Sequence, residues 1–195
     1  MMEMLAVLEA SGFSMWVKES STAYVAVLAF HTIGLVFLVG ISTATAMRIL
    51  GIANGIPMQA MQDFFPLMYA GAAINVLTGT VLLTLYPTKY LVDPTFYIKL
   101  AAIGVAIIAL RKIRALVFDI SDAADTDSVS RPTRTLAWTI ISAWLVALVA
   151  GRVMAYSVPT KLETAAAVLI IVVIAVLGAQ LATRMGWVSL SEPDS

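Results

Sequence analysis

Apolar residues in this chain do not alternate with polar ones; they run on. Five stretches, 22–46, 65–86, 96–117, 134–156 and 163–183, are apolar almost throughout. Each reaches the roughly 20 residues that a helix needs to cross the hydrocarbon of a bilayer. The breaks between them carry strong punctuation: Gly51 to Pro57, Pro87 and Pro94, an acidic stretch from Asp119 to Asp127 before Pro132, and Pro159. The pattern predicts an all-α polytopic membrane protein of five transmembrane helices. A four-helix antiparallel core at 22–156 would be followed by a peripheral fifth span within 157–188 and a flexible tail at 189–195. Residues 1–21 mix apolar positions with Glu9, Lys18 and Glu19. They read as an amphipathic interfacial lead-in, with Trp16 as an anchor at the membrane surface. Short links should make spans two and three, and four and five, neighbours.

Composition supports that reading. The chain has 195 residues, 61% apolar and 12% charged, about half the charged share of a soluble protein. Twelve basic and twelve acidic residues cancel, which argues against a nucleic-acid partner. There is no cysteine, so disulfides, cysteine-ligated iron–sulfur clusters and covalent c-type haem are excluded. The opening Met1-Met-Glu-Met-Leu lacks a basic leader pattern, and the first span is expected to stay in place. Asp122, Asp125 and Asp127 are spaced like calcium ligands, but the central glycine and closing glutamate of a calcium hand are missing. That stretch reads as a solvated acidic linker.

Orientation follows from Lys and Arg. With the N-terminus outside, the inner side carries Arg48, Arg111, Lys112, Arg114, Arg131, Arg134 and Arg184, and the outer side carries Lys18, Lys89, Arg152 and Lys161. The excess of positive charge inside favours an N-out, C-in protein of a bacterial inner membrane.

Against this apolar background, the polar residues within spans are the candidates for chemistry. The lone histidine, His31, lies in the first span. Helical spacing places Tyr24, Leu28, Gly34, Leu38, Ser42 and Thr45 on its side, and Ile33 and Val36 opposite. His31 is therefore expected to face the bundle. Asn75 sits mid-way along span two, one turn from Gly71 and from Gly79. Lys99 lies one turn into span three, and Arg152 near the end of span four, with Tyr156 four residues on. A neutral imidazole is a ligand for haem iron or copper. His31 would be the metal ligand of a b-type haem, with Lys99 and Arg152 clamping its propionates and Asn75 and Tyr156 completing the site. One histidine cannot make a bis-histidine haem within one chain. Plainer roles stand beside these: a hydrogen-bonding histidine, Asn75 as glue between helices, and Lys99 and Arg152 reaching for the headgroups.

The segments Leu8-Glu-Ala-Ser, Lys18-Glu-Ser20, His31-Thr-Ile-Gly34, Gly40 and Met47-Arg48-Ile-Leu-Gly51 together resemble an uncharacterised bacterial multi-span integral membrane family. Phe96-Tyr-Ile-Lys99-Leu and Ala150-Gly-Arg152-Val-Met-Ala-Tyr156 extend the resemblance, which covers about residues 5 to 156. More remotely, the first-span histidine with a third-span lysine resembles four-helix haem and copper membrane proteins, among them the membrane protoporphyrinogen oxidases. That resemblance implies haem ligation by His31 beside Lys99. The chain departs from it where a further histidine is usual, carrying Arg111, Lys112 and Arg114 instead. No nucleophile–base pair or metalloenzyme motif marks an enzyme. The expected function is an integral membrane subunit binding b-type haem or another redox ligand through His31. The alternative is a cofactor-free structural or assembly subunit, working as a homo-oligomer or with other membrane subunits. A solute carrier fits less well, for want of an inverted repeat or intramembrane carboxylates.

Overall fold

Local signals place the helix starts where the sequence puts its caps. In the computed structural model, which describes residues 2–52, 55–118, 131–156, 163, 166, 167 and 170, Ser11 accepts from the Ser14 backbone N–H at 3.3 Å. It thereby opens α2 (Gly12–Glu19), which follows α1 (Met2–Glu9). Ser20 accepts in the same way from Ala23 at 3.2 Å and opens α3 (Ser21–Ile49). Gly51, at φ 84°, closes that helix in a backbone conformation that L side chains avoid. Next come α4 (Met58–Asp63), α5 (Phe65–Leu85) and the single turn α6 (Pro87–Tyr90). Asp93 accepts from Thr95 at 3.0 Å and, with Pro94 in the first turn, starts α7 (Pro94–Val117). The last described helix is α8 (Arg131–Val153).

Among the described residues, three helical stretches are long and apolar enough to cross a membrane: Ser21–Ile49, Met58–Leu85 and Arg131–Val153. The described part of the chain is therefore all-helical with three candidate membrane spans. α7 has the length of a span but carries Lys99, Arg111, Lys112 and Arg114, and is not among them. The stretch 163–183 expected as a fifth span, the acidic linker and the tail at 189–195 fall almost wholly outside the described residues. Residues 1–21 hold the two short helices α1 and α2, and Trp16 on α2 is 61% exposed.

The chain divides into two compact units, Met1–Gly151 and Arg152–Ser195. In the first, α3 and α5 run antiparallel in close contact: His31 meets Thr78, and Gly34 meets Gly71 and Asn75. The tightest pair thus joins spans one and two, which the longer link had not pointed to. α7 returns along α5, with Phe118 edge-on to Phe65 at 5.1 Å and Arg114 donating to the Tyr69 hydroxyl at 2.7 Å. α8 presents one stripe to the core, with Ala137, Ile140, Trp144 and Ala147 all buried at three- and four-residue spacing. The opposite stripe, with Trp138, Leu145 and Leu148, is exposed and apolar, as a lipid-facing surface is.

Hydroxyls inside these helices bond to their own backbone. Thr32, Ser42, Thr45, Thr78 and Thr80 each donate to the carbonyl four residues earlier. Within hydrocarbon such bonds satisfy a group that water cannot reach. Ser42 and Thr45, which share the histidine's side of α3, are fully buried and occupied in this way.

The candidate site on the seam between α3 and α5

The seam owes its closeness to two glycines. A Cβ on Gly34 would stand 2.7 Å from the Gly71 carbonyl oxygen, and one on Gly71 would stand 2.6 Å from Phe37 Cβ. Backbone meets backbone here, so no side chain fits between the helices. That approach brings the polar groups of the two spans into range.

His31 lies half-buried one turn from Gly34. Its Nδ1 stands 3.0 Å from Thr78 Oγ1. Thr78 has one hydroxyl proton and directs it to the Ile74 carbonyl at 2.7 Å. With that proton committed, the hydroxyl oxygen accepts when His31 Nδ1 carries the ring proton, the tautomer that these bonds favour. In that neutral tautomer Nε2 keeps its lone pair, and it has no hydrogen-bond partner among the described residues. Asn75 donates from Nδ2 to the His31 carbonyl at 3.0 Å, and the same nitrogen stands 3.4 Å from Nδ1. The ring also lies against Gly79, where a Cβ would come within 3.3 Å of Cε1.

Lys99 approaches from α7. Its stem lies on Gly151, where a Cβ would meet Lys99 Cδ at 3.6 Å. The structure thus brings together His31 and Asn75, two of the residues singled out by sequence, while Lys99 lies against Gly151. Arg152 and Tyr156 are exposed and belong to the second unit, so the constellation is described without them. Thr78 was missed by the sequence reading. Its signal was present: it lies three residues after Asn75, on the same face as Gly71 and Gly79.

Among the described residues, no group of three or more His, Cys, Asp or Glu side chains could hold a metal ion. A haem iron here would have one protein nitrogen, His31 Nε2. A cavity of about 540 Å³ lies elsewhere on the bundle. It is lined by Leu38, Met68 and Ile107, with Arg111 and Arg114 at one end, and His31 takes no part in it. Comparison with known protein families, with curated proteins and with solved structures gives no match.

At the other end of the first unit, α1, α2 and α6 form a small polar and aromatic cap. Glu9 accepts a short hydrogen bond from the Thr88 hydroxyl and faces Lys18 Nζ at 3.6 Å. Lys18 also lies 4.8 Å above the centre of the Tyr86 ring. The Thr88 bond, aided by the Lys18 charge, holds the Glu9 carboxyl below its ordinary value of 4.5. Burial raises the Tyr90 phenol, with Tyr24 and Tyr86 adding to the effect.

Proposed function

We propose that this chain is a non-catalytic integral membrane subunit whose intramembrane polar residues hold its helices in register. One observation carries the reading: His31, Asn75 and Thr78 bond to one another across the two-glycine contact between α3 and α5. Polar groups committed in this way act as glue between helices. In this reading α7 is a further span and 163–183 a fifth, beside the three candidate spans. The N-terminus lies outside and the C-terminus in the cytoplasm of a bacterial inner membrane. The gathering of Arg48, Arg111, Lys112, Arg114, Arg131 and Arg134 at helix ends and links on one side supports that orientation. Exposed apolar stripes on α3 and α8 suit lipid, further copies of the chain or other membrane subunits.

A second reading is favoured by the bare lone pair on His31 Nε2. A ligating histidine characteristically donates its other ring N–H to a fixed acceptor, as His31 does to Thr78. His31 would then be the single protein ligand of a b-type haem, with Lys99 placed to meet a carboxylate. The haem would supply one-electron redox chemistry.

Absorption spectra decide between the two. The full chain, expressed with ample haem supply and purified in mild detergent, is expected to show no Soret band, and His31→Ala to lower its unfolding midpoint. A Soret band in the native protein that His31→Ala abolishes would overturn the structural reading in favour of the haem.

A further inference from the structure

The first two helices are turned inside out for a surface that meets water. α1 and α2 lie against α3, α5 and α6 at one end of the first unit. Polar side chains face the bundle there: Glu9 and Lys18 pair at 3.6 Å with only 27% and 19% of their side chains exposed. Ser14 on α2 is fully buried, and its hydroxyl has no hydrogen-bond partner among the described residues. Val17 is the single buried apolar residue of the two helices.

The large apolar side chains are on the outside. Met4, Val7 and Leu8 make one stripe of α1 at three- and four-residue spacing, and Phe13 and Trp16 are spaced likewise on α2. All five are 42% to 77% exposed. Water is a poor solvent for such a face, and a contiguous apolar surface of this kind marks a contact with something apolar.

The bilayer is the occupant that the surroundings select. One residue, Ser20, separates α2 from α3, so the face is tied to the end of a candidate membrane span. Exposed apolar surface continues along that span through Val25, Phe30 and Ile33. At 1.5 Å per residue the 29 residues of α3 run about 44 Å, against roughly 30 Å of hydrocarbon, so its ends reach the headgroups. Tyr86, Tyr90, Phe96 and Tyr97 form a chain of ring contacts at the same end, the aromatic composition of a membrane–water interface.

We propose that α1 and α2 are embedded in the interface of the leaflet at the start of α3, with Met4, Val7, Leu8, Phe13 and Trp16 among the upper acyl chains. The inference rests on α3 crossing the membrane. Contacts of Glu9 with Thr88, and of Lys18 with Glu9 and the Tyr86 ring, hold the pair against the ends of α5 and α6. Lys18 is the one basic residue of the two helices and is turned inward, so insertion depends on apolar area and not on anionic lipid. The amphipathic lead-in expected from sequence thus becomes a two-helix face whose polar side is closed by the bundle rather than by water.

The absence of cysteine allows a clean test. A nitroxide is attached to Val7→Cys, Phe13→Cys, Val36→Cys or Lys89→Cys in the full chain, reconstituted in phosphatidylcholine vesicles. Its accessibility to oxygen and to a water-soluble nickel chelate reads its depth. Labels at positions 7 and 13 are expected about 5–10 Å below the headgroup boundary, favouring oxygen. The label at the exposed Lys89 position should favour nickel. Either of positions 7 and 13 decides the outcome where the other variant fails to fold. Adding phosphatidylglycerol should leave the depths unchanged; depth that appears only with it overturns apolar insertion. Nickel access at 7 and 13, with the mid-span label at 36 still favouring oxygen, overturns the proposal and leaves the span in place. Nickel access at 36 as well overturns the membrane reading beneath it. A second copy seated on the face would give dipolar broadening between labels at position 7 that unlabelled chain removes, and this too overturns the proposal.

Discussion

Two regions of this protein bury their helix surfaces by different means. Between α3 and α5 the helices touch through backbone, at Gly34 and Gly71, and polar side chains span the contact. Toward α7 and α8 the buried positions are small and apolar, Ala102, Ala106 and Ala109 on one and Ala137, Ala143 and Ala147 on the other. Hydrocarbon gives two apolar helices little reason to prefer each other over lipid, so fit has to do the holding. The glycine seam adds hydrogen bonds to fit and so fixes register, because His31 can meet Thr78 in one alignment only. The alanine surfaces rely on shape, and Ile140 and Trp144 are buried in the same apolar core. Trp144 Nε1 is buried there without an acceptor among the described residues.

Substitutions that attack each device separately should sharpen the contrast. The largest effect is expected from Gly34→Leu, which drives a side chain into the Gly71 and Asn75 backbone. It should cost about 3 kcal/mol, the upper part of the range for overpacking, or prevent folding, read by denaturant unfolding in detergent. Gly40→Ala and Gly104→Ala are the controls, with nothing within 4 Å of the added carbon. They should be neutral or gain up to about 1 kcal/mol from helix propensity. If Gly34 and Gly40 variants behave alike, the backbone contact does not hold the seam.

Ile140→Ala should come next, at about 2 kcal/mol, the lower bound for emptying a fully buried site. Asn75→Ala removes one hydrogen bond across the polar seam and should cost about 0.6–1.7 kcal/mol. A larger loss for Asn75→Ala than for Ile140→Ala would reverse the ranking of the two seams. Thr78→Val is a finer probe. It removes the acceptor for Nδ1–H, so the nitrogen shifts of a ¹⁵N-labelled histidine should report a change in tautomer balance. Unchanged shifts would contradict the proton assignment.

The smallest effect lies in the cap. Glu9 has a lowered carboxyl value in the folded state, so its contribution is whole above its ordinary value of 4.5. It is lost as the pH falls through the lower folded value. Hydrogen exchange of α1 should rise over that acid range, and Thr88→Val should flatten the response while leaving both seams unaffected.

The histidine's neighbourhood was partly legible in the sequence. Glycines one turn from Asn75 and from His31 pointed to close helix approach, and helical spacing put Gly34, Leu38, Ser42 and Thr45 on the buried side. Leu28, on the same side, is exposed. Ser42 and Thr45, placed on that side by spacing, use their protons within α3. A hydroxyl's partner is a matter of rotamer, which spacing does not record.

The sequence by itself determined that the chain is helical and apolar enough for a membrane, where its helices begin, and which few residues are costly there. Hydropathy and capping are local properties, written within a turn or a span. Tertiary structure alone decided that spans one and two form the close pair and that Thr78 orders the histidine's protons. It also decided that a cleft with two arginines opens between α5 and α7. Those outcomes depend on register between helices distant in the chain, and register is set where backbone, glycine and hydrogen bond all fit together.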